Sequence, residues 1–148
     1  MNLNSIIKMT GELSIKKFNS NKELIEETHV PNLVVTAGKN HVANRIVNGN
    51  LEPVMSHMGV GSNSTAAALA NTTLGYQLAR EALSSISVNG ANITYTATFD
   101  IGVATGSITE AAIFNDATTG TMMCRTTFPV ITKLSNESIA ISWTITVG

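Results

Sequence analysis

Ile139-Ala140-Ile141-Ser142-Trp143-Thr144-Ile145-Thr146-Val147 alternates large apolar residues with small or polar ones without an error. Successive side chains of an extended backbone point to opposite faces, so Ile139, Ile141, Trp143, Ile145 and Val147 share one face and Ala140, Ser142, Thr144 and Thr146 the other. The pattern predicts a β-strand with one side in a core and the other presenting hydroxyls and a methyl group. A strand that delivers chemistry usually ends in an acid, a base or a nucleophile. This one offers none, so it reads as scaffold.

Working outward, the same two-residue period recurs. Residues 107–115 and 121–128 alternate on either side of a turn at 116–120, which predicts a hairpin; Pro129 then marks an edge or a bend, and 134–138 a turn. Residues 83–88 and 91–99 flank Asn89-Gly90, a pair suited to a type I′ turn because both central positions there need positive φ. Residues 54–60 alternate as well. Residues 74–83 fit either a helical turn or two, with Tyr76, Leu78 and Ala79 inward, or a strand. Near the start, 11–18 and 23–30 alternate around Asn19-Ser20-Asn21 and read as an opening hairpin, moderately charged and near a sheet edge. One segment breaks the period: Val42, Ala43, Ile46 and Val47 fall at helical spacing, predicting a short amphipathic helix over about 37–48 with Thr36 as N-cap and Gly49 as stop.

Residues 61–73 contain little besides Gly, Ser, Asn, Thr and Ala. Side chains that small bury little surface against the entropy of ordering, so the segment reads as a flexible loop that needs a neighbour to become fixed. Six to eight short antiparallel strands with one or two short helices indicate a mainly β fold, an antiparallel β-sandwich or barrel-like domain. At 148 residues the chain fits a single domain over 1–148, with 1–30 a hairpin that could act as an arm and 31–148 the main body.

Composition narrows the partners. Charged residues make up 13 % of the chain and the formal net charge is −1, so no basic field gathers phosphates and nucleic acid is not an expected partner. No stretch approaches the ~20 apolar residues that span a bilayer, and the amino-terminal residues lack the pattern of a secretory leader, so no membrane partner is expected. The lone Cys124 rules out an intrachain disulfide and reads as a small buried hydrophobe.

Motifs for chemistry are sparse. His29, His41 and His57 share no metal-ligand spacing with one another or with a carboxylate. Gly59-Val60-Gly61-Ser62-Asn63-Ser64 opens like a phosphate-cradling loop but lacks the third glycine and the Gly-Lys-Ser/Thr ending. No nucleophile elbow surrounds Ser56 or Ser62. Asn63, Asn71, Asn92 and Asn136 head glycosylation-type triplets that a chain this rich in Asn, Ser and Thr produces by chance. Glu110 and Arg125 are the carboxylate and guanidinium that fall on paired strands; they read as a structural cross-strand or intersubunit ion pair, because no second carboxylate stands near for acid–base work. The expected inventory is therefore no catalytic residue, no cofactor-binding residue, no metal ligand and no cofactor.

Five blocks in order carry a resemblance: Asn32-Leu33-Val34-Val35-Thr36-Ala37-Gly38-Lys39, Met55-Ser56-His57-Met58-Gly59-Val60-Gly61, Thr109-Glu110-Ala111-Ala112-Ile113-Phe114-Asn115, Gly120-Thr121-Met122-Met123-Cys124-Arg125-Thr126-Thr127-Phe128 and Ile141-Ser142-Trp143-Thr144-Ile145-Thr146-Val147. Together they resemble a family of small structural proteins of tailed bacteriophages, with a departure in the 61–73 loop, where Asn63, Leu69 and Asn71 replace smaller or different residues. The resemblance implies a virion protein assembled in the host cytoplasm, non-enzymatic, a capsid decoration or cement protein or else a tail, collar, baseplate or fibre module. Its implied partners are the major capsid protein or other virion proteins and further copies of itself, a trimer being the simplest ring for a capsid axis. The 61–73 loop and the opening hairpin are the elements expected to fold onto a neighbour.

Overall fold

The computed structural model describes residues 7–47 and 52–148. Strand β9 (Ser138–Val147) lies inside the sheet, paired along its length with β1 (Met9–Phe18) on one side and β6 (Asn92–Phe99) on the other. Ile139, Ile141, Trp143 and Ile145 are buried to within 1 % of completely, while Ser142 on the opposite face is exposed. The alternation thus does what elementary strand geometry requires.

The remaining elements are β2 (Leu24–Val34), helix α1 (Thr36–Ile46), β3 (His57–Gly61), β4 (Gln77–Ala82), β5 (Ser85–Asn89), β7 (Gly106–Phe114) and β8 (Met122–Lys133). The nine strands of the described residues form one antiparallel sheet in the order β4-β3-β7-β8-β2-β1-β9-β6-β5. The fold is mainly β, and the sheet curls into a half-barrel. Its two edge strands, β4 and β5, are consecutive in the chain and joined by Leu83 and Ser84. Leu83 N–H donates to the Ser56 carbonyl on the β3 side, and Ser84 N–H donates to the Thr96 carbonyl of β6 at 2.7 Å. The chain therefore steps from one edge of the sheet to the other within two residues, which forces the curl and brings one corner of each edge together.

The concave side holds the main core, in which Leu13, Ile15, Met58, Phe99, Ile113 and Trp143 are at most 1 % exposed. On the other side of β7, Ala112 and Phe114 join Val35, Leu74 and Met122 in a smaller cluster. Two apolar faces on one strand explain why β7 reads as a continuous apolar run from Ala111 to Phe114.

Several expectations are corrected. The opening hairpin is neither edge nor arm: β1 lies between β2 and β9, and β2 continues into β8 through Leu33 and Val34. Its charges suggested an edge but belong to rungs of the ladder, Lys16 opposite Glu27 and Lys17 opposite Glu26, the latter closing at 3.0 Å. The β5–β6 loop is Gly90-Ala91, with Asn89 paired to Asn92; Gly90 alone has positive φ, the type II′ requirement, in place of the I′ turn expected at Asn89-Gly90. Residues 77–82 are a strand, which decides the alternatives left open there. Strand β8 runs through Pro129, which sits at the irregularity where β7 and β8 change register after Ile108, a bend without an end.

Helix α1 begins at Thr36, so that residue is its first member and extended Val35 precedes it with no side-chain cap. The cap comes from elsewhere: Thr36 N–H donates to the Leu69 carbonyl at 2.9 Å. Gly38 lets the helix lie on β8, since a Cβ there would meet the Met123 carbonyl oxygen at 2.1 Å. The stop expected at Gly49 lies outside the described residues.

Candidate functional site

Glu110 and Arg125 are brought together, but diagonally: Glu110 stands opposite Thr127, and Arg125 opposite Ala112. Both side chains are buried, Glu110 entirely. The Arg125 guanidinium donates to Glu110 Oε2 from Nε at 3.0 Å, and Nη2 lies 2.9 Å from the same oxygen. Three backbone N–H groups complete the carboxylate's shell: Asn63 and Tyr76 donate to Oε1 at 3.2 and 2.8 Å, and Gly75 to Oε2 at 2.9 Å. Arg125 gives two further donors to the Asn71 side-chain carbonyl and the Thr65 carbonyl, both at 3.0 Å. Asn71 Oδ1 also accepts from Ala68 N–H at 2.8 Å.

This arrangement is a clasp for residues 62–76. A charged pair taken out of water must have its remaining lone pairs and protons satisfied, and here the loop's own backbone does so. Glycine is required beside the clasp, because a Cβ on Gly61 would come within 2.5 Å of Glu110 Oε1 and within 2.2 Å of the Tyr76 carbonyl oxygen. The segment expected to be flexible is therefore fixed, and its neighbour is a side chain of the same chain. Leu74 then covers Phe114 in the smaller cluster, and Arg80 lies 3.5 Å above the Phe114 ring while donating to the carbonyls of Asp116 and Thr119 at 3.1 and 2.8 Å. Asp116 in turn accepts from Thr118 and Thr119, and the hydrogen bonds from the Thr119 and Thr118 amides lower its carboxyl to about 2.

The histidines do not meet. His29 contacts Glu27 at 3.0 Å on the outer face, His41 is buried against Glu52 at 2.6 Å, and His57 Nδ1 contacts Ser56 Oγ at 2.8 Å. Ser56 and His57 are chain neighbours on one strand entry, with no carboxylate bonded to that imidazole among the described residues. No group of three metal-ligating side chains occurs among the described residues. Cys124 is fully buried, and burial raises its thiol well above the ordinary range. Burial likewise raises the Tyr95 hydroxyl to about 12 and lowers Lys133, whose ammonium donates to the Asp100 carbonyl at 2.9 Å.

The broad surface is the outer face of β6, β9 and β1. Its rungs read Asn92–Thr146–Thr10, Thr94–Thr144–Glu12, Thr96–Ser142–Ser14 and Thr98–Ala140–Lys16. Hydroxyls bond across it, those of Thr94 and Thr144 to each other at 3.1 Å, and the Thr146 hydroxyl donates to the Asn92 side-chain amide oxygen at 2.7 Å. A shallow trough runs over it between Thr10, Glu12, His29, Ser142 and Thr144. The alternation of each strand made its faces legible; the assembly of the faces needed the strand order.

Comparison with protein-family models, with curated proteins and with solved structures finds no match to the chain.

Proposed function

We propose that the chain is a non-enzymatic structural component of a tailed-phage virion, a decoration or cement protein of the capsid that associates with its own copies and with the major capsid protein. The observation that carries the reading is the fate of Glu110. The residue type and placement that could have served as an acid are wholly consumed in holding residues 62–76, with both oxygens occupied. What the molecule offers to its surroundings is instead a wide hydroxyl-bearing face with few charges, which a neighbour can cover at small desolvation cost. The resemblance of the five sequence blocks supplies the virion setting.

Exposed Tyr76, 65 % accessible at the foot of the clasped loop, favours the tail, collar or baseplate reading as the second choice, since an aromatic at a loop is a natural contact for a host surface. Tyr95, the other tyrosine of the chain, is buried and offers no such contact. Quantitative mass spectrometry of purified virions separates the readings. Copies in the hundreds support decoration, a dozen or fewer support the tail-side module, and none overturns both. A hydrolytic activity of the purified protein that disappears in Glu110→Gln would overturn the structural assignment itself.

A further inference from the structure

The two edges of the sheet are treated differently. Strand β4 carries Arg80 and Glu81, shifts register against β3 between Val60 and Gly61, and has its four central residues, Leu78, Ala79, Arg80 and Glu81, half-buried. Charges, irregular register and partial cover are devices that keep an edge from pairing with another chain. Strand β5, Ser85-Ile86-Ser87-Val88-Asn89, has none of them: no charge, no proline, no shift in its ladder with β6, and every residue exposed.

We propose that β5 is a self-association edge, pairing antiparallel with β5 of a second copy across a twofold axis at Ser87. In that register Ser87 faces Ser87, Ile86 of one copy faces Val88 of the other, and Ser85 faces Asn89. Apolar meets apolar, polar meets polar, and no charge is desolvated. Ile86 and Val88 stand opposite Tyr95 and Ile93 in the ladder, so they project on the core side of the sheet. Ile93 and Tyr95 line one groove with Ile46 and Val54, and Ile46, Val54 and Val88 are 77, 56 and 71 % exposed. Pairing the edges sets the two apolar strips side by side. A head-to-tail contact of β5 with β4 is disfavoured by the guards on β4, which selects the isologous arrangement. The inference rests on the self-association part of the proposed function and not on the virion setting.

The test uses the full chain. Ser87→Cys should give a disulfide-linked dimer on mild oxidation, because directly opposed strand residues stand at a separation a disulfide spans, and buried Cys124 stays out of the reaction. Gln77→Cys on the guarded edge should give none. Ser87→Lys sets like charges against each other at the axis and should halve the wild-type mass in light scattering while leaving the circular dichroism unchanged. Failure of Ser87→Cys to cross-link, linkage of Ser87→Cys to Gln77→Cys in a mixture, or an undiminished mass for Ser87→Lys overturns the proposal. Cross-linking in a protein absent from virions keeps it and removes the virion reading; abundance in virions without cross-linking does the reverse.

Discussion

The outer surface of the sheet has two halves made on the same principle and finished in opposite ways. Over β3, β7 and β8 it is apolar, centred on Ala112 and Phe114, and the 62–76 loop is drawn across it by Glu110 and Arg125. Over β6, β9 and β1 it is a field of hydroxyls left open to solvent. A strand with two apolar faces needs two covers, whereas a strand with one needs a single core. The difference shows that the Glu110–Arg125 pair, the most deeply buried ion pair among the described residues, stands where the chain must hold a weakly hydrophobic loop in place, and that the open half needs no such device.

Removing the clasp should separate the halves most sharply. Glu110→Ala leaves Arg125 buried and unpaired and strands three amide donors, so a loss of about 5 kcal/mol in chemical denaturation is expected, the upper end for breaking a buried pair. In variants still folded, amide exchange at Asn63, Gly75 and Tyr76 should accelerate while that of β9 and β1 keeps its rank order. Equal acceleration on both halves would refute the division. Trp143→Ala tests the core the halves share, with an expected cost of roughly 3–5 kcal/mol from cavity formation. Trp143→Phe should recover most of it, since the indole N–H has no acceptor among the described residues.

Acid should act on the covered side first. Asp116 holds its carboxyl at about 2, below its ordinary 3.8, through the Thr119 and Thr118 amides. A depressed carboxyl contributes stability that is present above the ordinary value and is lost as pH falls through the folded one. The Thr118 and Thr119 amide resonances should therefore shift between about pH 4 and 2, and Asp116→Asn should abolish that step. The smallest effect belongs to the open half: Thr144→Val should change stability by no more than about 0.5 kcal/mol. A much larger loss would mean that the Thr94–Thr144 bond is part of what holds the sheet.

Much of this was legible in the chain. Period-two alternation marked nearly every strand because burial acts on alternate side chains, and the hairpin linking β7 to β8 followed from its turn residues. Strand order was not legible, because alternation tells which face is buried and not which strand lies beside it. Lys16 and Lys17 suggested an exposed edge and turned out to be rungs against Glu27 and Glu26. Glu110 and Arg125 were legible as a pair, yet their task was not, since the amides they hold are 34 to 47 residues away from Glu110 along the chain. Nor could the neutral composition of residues 85–89 speak until the topology placed them at a border.

The ladder of ten pairs between β1 and β9 has a consequence for biogenesis. A ribosome releases β1 long before β9, and during that interval Leu13 and Ile15 have no strand on that flank. Closure of the sheet waits for the final segment, so folding is dominated by distant contacts and should be slow. Nascent copies produced together would meanwhile expose a vacant, pairing-competent flank, making the order of synthesis itself a hazard that the finished molecule no longer displays.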